Sequence, residues 1–263
     1  MFSSTLDPID GHQIGQHPLV VRLMKGIYLT NPPKAKYSST WDVGVVLNYI
    51  NSFGPNSSLN LSVISKKVAI LLALTTLLRV SEIAAIDKNT LQAFDARISF
   101  ALSKVRKAQR QGPLQKISIS AFTANPLLCP VRCVRHYVYL TDTVRNETNS
   151  GSLLISLRRP FLKVTGSTVA RWIKDILKAS GVDTDRFTAH STRGASASRA
   201  AAIGVPIDCI LRTAHWSNTL TFSKHYHREA EGNFAGAVLS GVCLFVVVVI
   251  GLLIYAQASC FML

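Results

Sequence analysis

Acidic residues are scarce in this sequence. Only 14 Asp and Glu stand against 29 Lys and Arg, leaving a formal charge of +15 at pH 7 and a pI near 9.9. That imbalance turns the chain toward an anionic polymer, nucleic acid first and an acidic membrane surface second. Cysteine is sparse too: Cys129, Cys133, Cys209, Cys243 and Cys260 form no disulfide framework, and the three in the globular part point to a reducing compartment. The N-terminal MFSSTLDPIDGHQ has neither a basic n-region nor an apolar h-region, so it is not expected to act as a signal peptide. Internal repeats are absent, as is low complexity outside the tail, which excludes a repeat architecture. Metal-ligand spacing is missing as well. Cys129, Cys133 and His136 lack a second ligand pair and flank a helix start at Pro130, and His215, His225 and His227 have no acidic or cysteine partner at a fitting distance along the chain. Neither a metal nor a cofactor is expected.

Long hydrophobic runs are confined to one place. No residue from Gly232 to Leu263 is charged, and Ala235–Gln257 (AGAVLSGVCLFVVVVIGLLIYAQ) is about the length that spans a bilayer. A C-terminal transmembrane helix over 235–257 is expected. The basic residues precede it, so the domain before it should face the cytoplasm or nucleoplasm, with the nucleus as the expected compartment if the tail does not insert.

The 263 residues suffice for one substantial domain with appendages. Apolar spacing predicts a short helix over His17–Tyr28, and NPPKAK at Asn31–Lys36 reads as a linker. Ser39 or Thr40 is the expected cap of a helix starting at Trp41 and ending at Gly54-Pro55. A long apolar helix, split functionally near Thr75-Thr76, is expected over about Ser62–Ile86, with Arg79 and Glu82 sharing a face at its polar end. Arg97–Val105 and Leu114–Ile119 alternate apolar and polar residues around RKAQRQGP, the pattern of a basic hairpin. Further helices are expected over Pro130–Leu140, from Thr165 or Ser167 to Lys178, up to Gly204, and from Pro206 to about Ala214. Leu153–Ile155 reads as a short strand, and a last helix capped by Ser217 or Asn218 carries Tyr226. The fold class that follows is α+β, mostly α, with one small antiparallel sheet.

Several residue types in this order suit attack on a phosphodiester. The pentacoordinate transition state gathers negative charge on the non-bridging oxygens, and guanidinium groups answer it with fixed charge and paired donors. Arg79 and Arg193 can supply those groups from separate helices. Tyr226 can act as nucleophile, giving a phosphotyrosine that conserves the bond energy for rejoining. His190, three residues before Arg193, can take the phenol proton or hold a phosphate oxygen. A lysine on the hairpin tip, Lys107 or alternatively Lys104, can protonate the leaving oxygen. Trp216 can donate its indole N–H to the phosphate, and Glu82 can orient a neighbour. Lys104, Arg106, Arg110 and Lys116 crowd the ribbon as candidate DNA contacts, a solvated basic loop being the alternative.

The segments LLRVSEIAAI around Arg79, AHSTRGASASRAAAIGVP around His190 and Arg193, and AHWSNTLTFSKHY ending at Tyr226 resemble the tyrosine recombinase, or phage integrase, family. The last two are similar in style to recombinases of eukaryotic DIRS and Crypton mobile elements. The resemblance implies a catalytic domain over 33–231 and DNA integration through a 3′-phosphotyrosine on Tyr226. Arg79, His190, Arg193 and Trp216 would grip the phosphate, Lys107 would be general acid, and Glu82 the acidic partner. It also implies double-stranded DNA as partner, and a homo-oligomer that forms a tetrameric synapse when active. Residues 1–32 then read as the remnant of an N-terminal core-binding clamp domain with its linker, and 232–263 as the apolar tail. A domesticated DNA-binding module without activity and a type IB topoisomerase-like enzyme are the alternatives. His215 stands where relatives often carry Gly.

Overall fold

The computed structural model describes residues 7–32, 39–106, 109, 112–146, 149, 151–216, 219, 222 and 223. The chain divides into two compact units, Met1–Ser38 and Ser39–Leu263. In the first, a 3-10 turn over Ile14–Gln16 leads into helix α1 (Pro18–Thr30), which starts one residue later and ends two residues later than the spacing predicts. Pro18 occupies the first turn, where its missing N–H costs nothing, and the His17 ring accepts the Leu19 N–H. None of the apolar residues of α1 is buried.

The second unit begins with α2 (Val43–Asn51). Its cap is neither Ser39 nor Thr40 but Asp42, whose carboxylate accepts the Gly44 N–H at 2.8 Å. Trp41, expected as the first helical residue, lies before the cap, buried, with its indole N–H on Ser191 Oγ at 2.8 Å. Helix α3 (Leu61–Thr76), capped by Asn60, is the central element. Ile64, Val68, Ile70, Leu71 and Leu72 are buried around its circumference, as a helix enclosed by others requires.

The predicted continuous helix to Ile86 does not exist. Leu77 takes a left-handed conformation (φ +53°), and the chain restarts as the single-turn α4 (Val80–Ile83). Leu77 and Leu78 are both buried, so apolar anchoring at the break replaces the helical hydrogen bonds that the sequence pattern suggests. Strands β1 (Ile86–Ala93), β2 (Arg97–Leu102) and β3 (Ile117–Ser120) form an antiparallel sheet in that order. The hairpin expectation corresponds to β2 and β3. β1 was not expected, because DKNTLQA is mostly polar and lacks alternation, and its register with β2 shifts between Asp87 and Gln92. Thr90 Oγ1 takes up the Ala101 N–H within that irregular stretch.

Helix α5 (Pro130–Asp142) buries Val131, Cys133, Val134 and Tyr137, and α6 (Gly166–Ala179), capped by Thr165, buries Val169, Trp172, Ile173, Ile176 and Leu177. Between them Leu153, Leu154 and Ile155 are buried, and Ile155 bridges to Lys163 in place of a full strand. Helices α7 (Ser191–Ala202) and α8 (Ile207–Ala214) follow, separated by Gly204 at φ +86°. Beyond α8, Thr219, Phe222 and Ser223 are helical. The expected membrane helix over 235–257 lies outside the described residues. Among the described residues, no helix is long and apolar enough to cross a membrane.

Candidate active site

The break after α3 builds one half of the site. Turning the chain at Leu77 sets Arg79 as the residue before α4, in extended conformation, rather than on a continuing helical face. Its backbone N–H donates to Glu82 Oε2 at 2.8 Å and its Nη1 to Oε1 at 2.9 Å. The first of these is the reciprocal arm of a capping box, so one carboxylate both closes the first turn of α4 and fixes the arginine.

Glu82 is 6% exposed and binds a second guanidinium. Arg106 Nε donates to Oε1 at 3.3 Å and Nη2 to Oε2 at 3.2 Å. Arg106 is itself only 4% exposed, so it differs from the surface DNA contact expected on the ribbon. Burial alone would raise the Glu82 carboxyl. The Arg106 hydrogen bonds, the Arg79 N–H and the two positive charges outweigh it and hold the group below the usual carboxylate range.

The other half comes from α7 and α8. Arg193 lies one turn into α7 and is 1% exposed. Its Nε donates to the Leu77 carbonyl at 2.6 Å, two residues before Arg79, and its Nη2 to the Ala214 carbonyl at 3.2 Å. The guanidinium carbon stands 5.2 Å from the centroid of the Trp216 ring, which stacks on Phe222 at 5.8 Å. Leu77, Ala197, Ile210, Ala214 and Phe222 form the apolar cluster beneath. The helix break, α7 and the end of α8 are thereby tied through one buried arginine.

His215, between Ala214 and Trp216, adopts the left-handed conformation (φ +52°) that ends α8. Burial first, then Arg106 and Arg193, push its imidazole below the ordinary histidine range, against the pull of Glu82. It therefore belongs electrostatically to both halves. Its only signal in the sequence is a histidine where relatives often carry Gly, the residue that a positive φ favours. His190 directly precedes α7 and is exposed. The next residue, Ser191, accepts the Trp41 indole N–H, so the start of α7 is pinned.

Lys104 is exposed on an open cleft of about 670 Å³ that it shares with Ser81, Asp87, Asn89, Lys163 and Gly166. Lys116 is exposed and donates to the side-chain oxygen of Gln92 on β1. Lys107, Arg110 and Tyr226 lie outside the described residues. The structure thus gathers Arg79, Glu82, Arg106, Arg193, His215 and Trp216 around the break, with Lys104 and Lys116 out on the sheet. Cys129 and Cys133 are core residues, and burial pushes the Cys133 thiol up to about 12.

The arrangement can hold an anion among fixed guanidinium groups while a single carboxylate keeps two of them in place. Residues 47–232 match the phage integrase family. Among solved structures, the XerA recombinase aligns with a TM-score of 0.54 at 17% identity, over 81% of this chain and 71% of its own. The Tn1549 transposon integrase in complex with transposon right end DNA gives 0.52 at 15%, over 81% and 68%. The XerH site-specific recombinase bound to its palindromic difH substrate, a post-cleavage complex, gives 0.52 at 9% identity, over 70% of this chain. This chain spans about half (48%) of the XerH chain's length. At these identities the likeness concerns the fold. No curated protein matches the sequence.

Proposed function

We infer that this chain, which belongs to the phage integrase family, cleaves and rejoins strands of double-stranded DNA through a 3′-phosphotyrosyl intermediate on Tyr226. The observation that carries the reading is the pairing of Arg79 and Arg106 on the buried Glu82 beside Arg193 and Trp216. The Tyr226 hydroxyl attacks the scissile phosphorus as His190 takes its proton. The bond to the 5′ oxygen breaks, and Lys107, with Lys104 as alternative, protonates the departing alcohol. Arg79 and Arg193 stabilise the charge that grows on the non-bridging oxygens. Attack of a 5′ hydroxyl on the phosphotyrosine then reverses the step and rejoins the strand. Exchange between two duplexes requires four protomers, one for each strand cut. The apolar run 235–257 carries no charge and has the length of a membrane span, and on that ground it anchors the domain on the cytoplasmic or nuclear side.

The test uses the full chain in mild detergent and a suicide duplex nicked beside the cleavage position, from which the released fragment diffuses away. A covalent protein–DNA adduct on a denaturing gel, lost in Tyr226→Phe, is the expected result. Salt-sensitive DNA binding with no adduct from either protein sinks the strand-transfer reading and leaves a DNA-binding module.

A further inference from the structure

The two arginines on Glu82 are not equivalent. The Arg79 side chain is a quarter exposed, whereas that of Arg106 is almost fully enclosed at 3%. Arg106 meets the carboxylate through Nε and Nη2. Engaging that edge of the planar fork leaves Nη1 on the opposite side. Nη1 is buried and has no hydrogen-bond partner among the described residues. A buried charged donor without an acceptor is costly, and native proteins rarely keep one without a use.

Glu82 cannot supply the missing acceptor, because both of its oxygens already serve Arg79 and Arg106. Neighbouring Arg193 adds no acceptor either, and no hydrogen bond joins His215 to Nη1. Arg193 is cationic, and His215 lies close enough to feel Arg106, Glu82 and Arg193 together. Three guanidinium groups against one carboxylate leave two net positive charges around the break, the charge needed to neutralise a dianionic pentacoordinate phosphorane.

We propose that Arg106 Nη1 donates to a non-bridging oxygen of the scissile phosphate, making Arg106 a third phosphate-binding guanidinium. Glu82 is then a positioning residue that holds two of the three cations through one carboxylate. The proposal rests on the strand-transfer reading and departs from a surface role for Arg106. It also explains why this arginine is buried on a ribbon whose Lys104 and Lys116 face solvent.

The experiment compares single-turnover adduct formation by the full chain on two suicide duplexes. One carries the ordinary scissile phosphate, the other a methylphosphonate in which a methyl group replaces one charged oxygen. Loss of one donor to transition-state charge is expected to slow Arg106→Met by about 100-fold on the phosphate. DNA affinity should barely change, and on one methylphosphonate diastereomer the loss should shrink to less than about 10-fold, because the oxygen it served is gone. Arg106→Lys should recover part of the rate. Equal losses on both substrates mean that Arg106 only braces the ribbon, and overturn the proposal. If Arg106→Met does not fold, Arg106→Lys carries the same comparison. If the wild-type chain forms no adduct on either duplex, the strand-transfer reading falls by itself. Arg106 is then judged by its guanidinium NMR signals on titration with inorganic phosphate: movement upholds the anion contact, and none overturns it.

Discussion

His215 carries a cost in the backbone and another in its ring. Its φ of +52° lies in the region that disfavours a Cβ, worth about 1 kcal/mol. His215→Gly is therefore expected to raise the melting temperature by about 2–4 °C. The ring adds a pH term. Because the folded-state pKa is depressed, the unfolded chain binds the proton more readily, and stability is lost as pH falls through the unfolded value of about 6.5. The advantage of His215→Gly should then grow between about pH 7.5 and about pH 5.5. Paired melts at several pH values check both terms, and a variant that melts below wild type throughout would show that ring packing outweighs backbone strain. At this scale the sequence named Arg79, Glu82, Arg193 and Trp216 through their order. It could not show that Arg106 is buried, because a ribbon of five cations reads as uniformly solvated until a carboxylate from another element draws one inward.

The helix break is the element on which the site depends, and the sequence hid it. LLALTTLLRVSEIAAI is apolar at helical spacing throughout. Only tertiary burial of Leu77 and Leu78 decides that the chain turns there. β1 was hidden for the opposite reason, since its polar residues give no periodic signal while hydrogen bonds to β2 hold it. Helices that open on or beside a Pro, such as α5 and α8, and those followed by a Gly, such as α6 and α7, were legible within a few residues. The seat of α4 makes a further expectation. A Cβ on Gly166, at the start of α6, would fall 3.0 Å from Ser81 Cα and 3.2 Å from its nitrogen, both backbone atoms of α4. Gly166→Ala must displace that turn, and with it Arg79 and Glu82, at a cost of about 1–3 kcal/mol. A lowered melting temperature together with slower adduct formation is the expected outcome. An unchanged melt would show that α4 shifts freely and does not fix the cations.

At the scale of the whole molecule, charge and the tail are the features composition exposes most directly, and they act separately. All 29 Lys and Arg precede Gly232, so the tail adds none of the +15. If the domain binds the DNA backbone, each phosphate it neutralises releases counterions, and affinity falls with salt in proportion to their number. A footprint of about six phosphates weakens binding roughly a thousand-fold between about 50 and about 200 mM salt. The exposed Lys104 and Lys116 should each contribute to that slope, so replacing both with Gln is expected to lower it by about two. Arg106→Met should leave the slope almost unchanged, because Arg79 and Arg193 still neutralise the one phosphate that the buried Arg106 shares with them. Anisotropy titrations of a labelled duplex at several salt concentrations separate these cases. A slope that drops equally for Arg106 and for the surface lysines would place Arg106 in the general electrostatic footprint rather than at one phosphate.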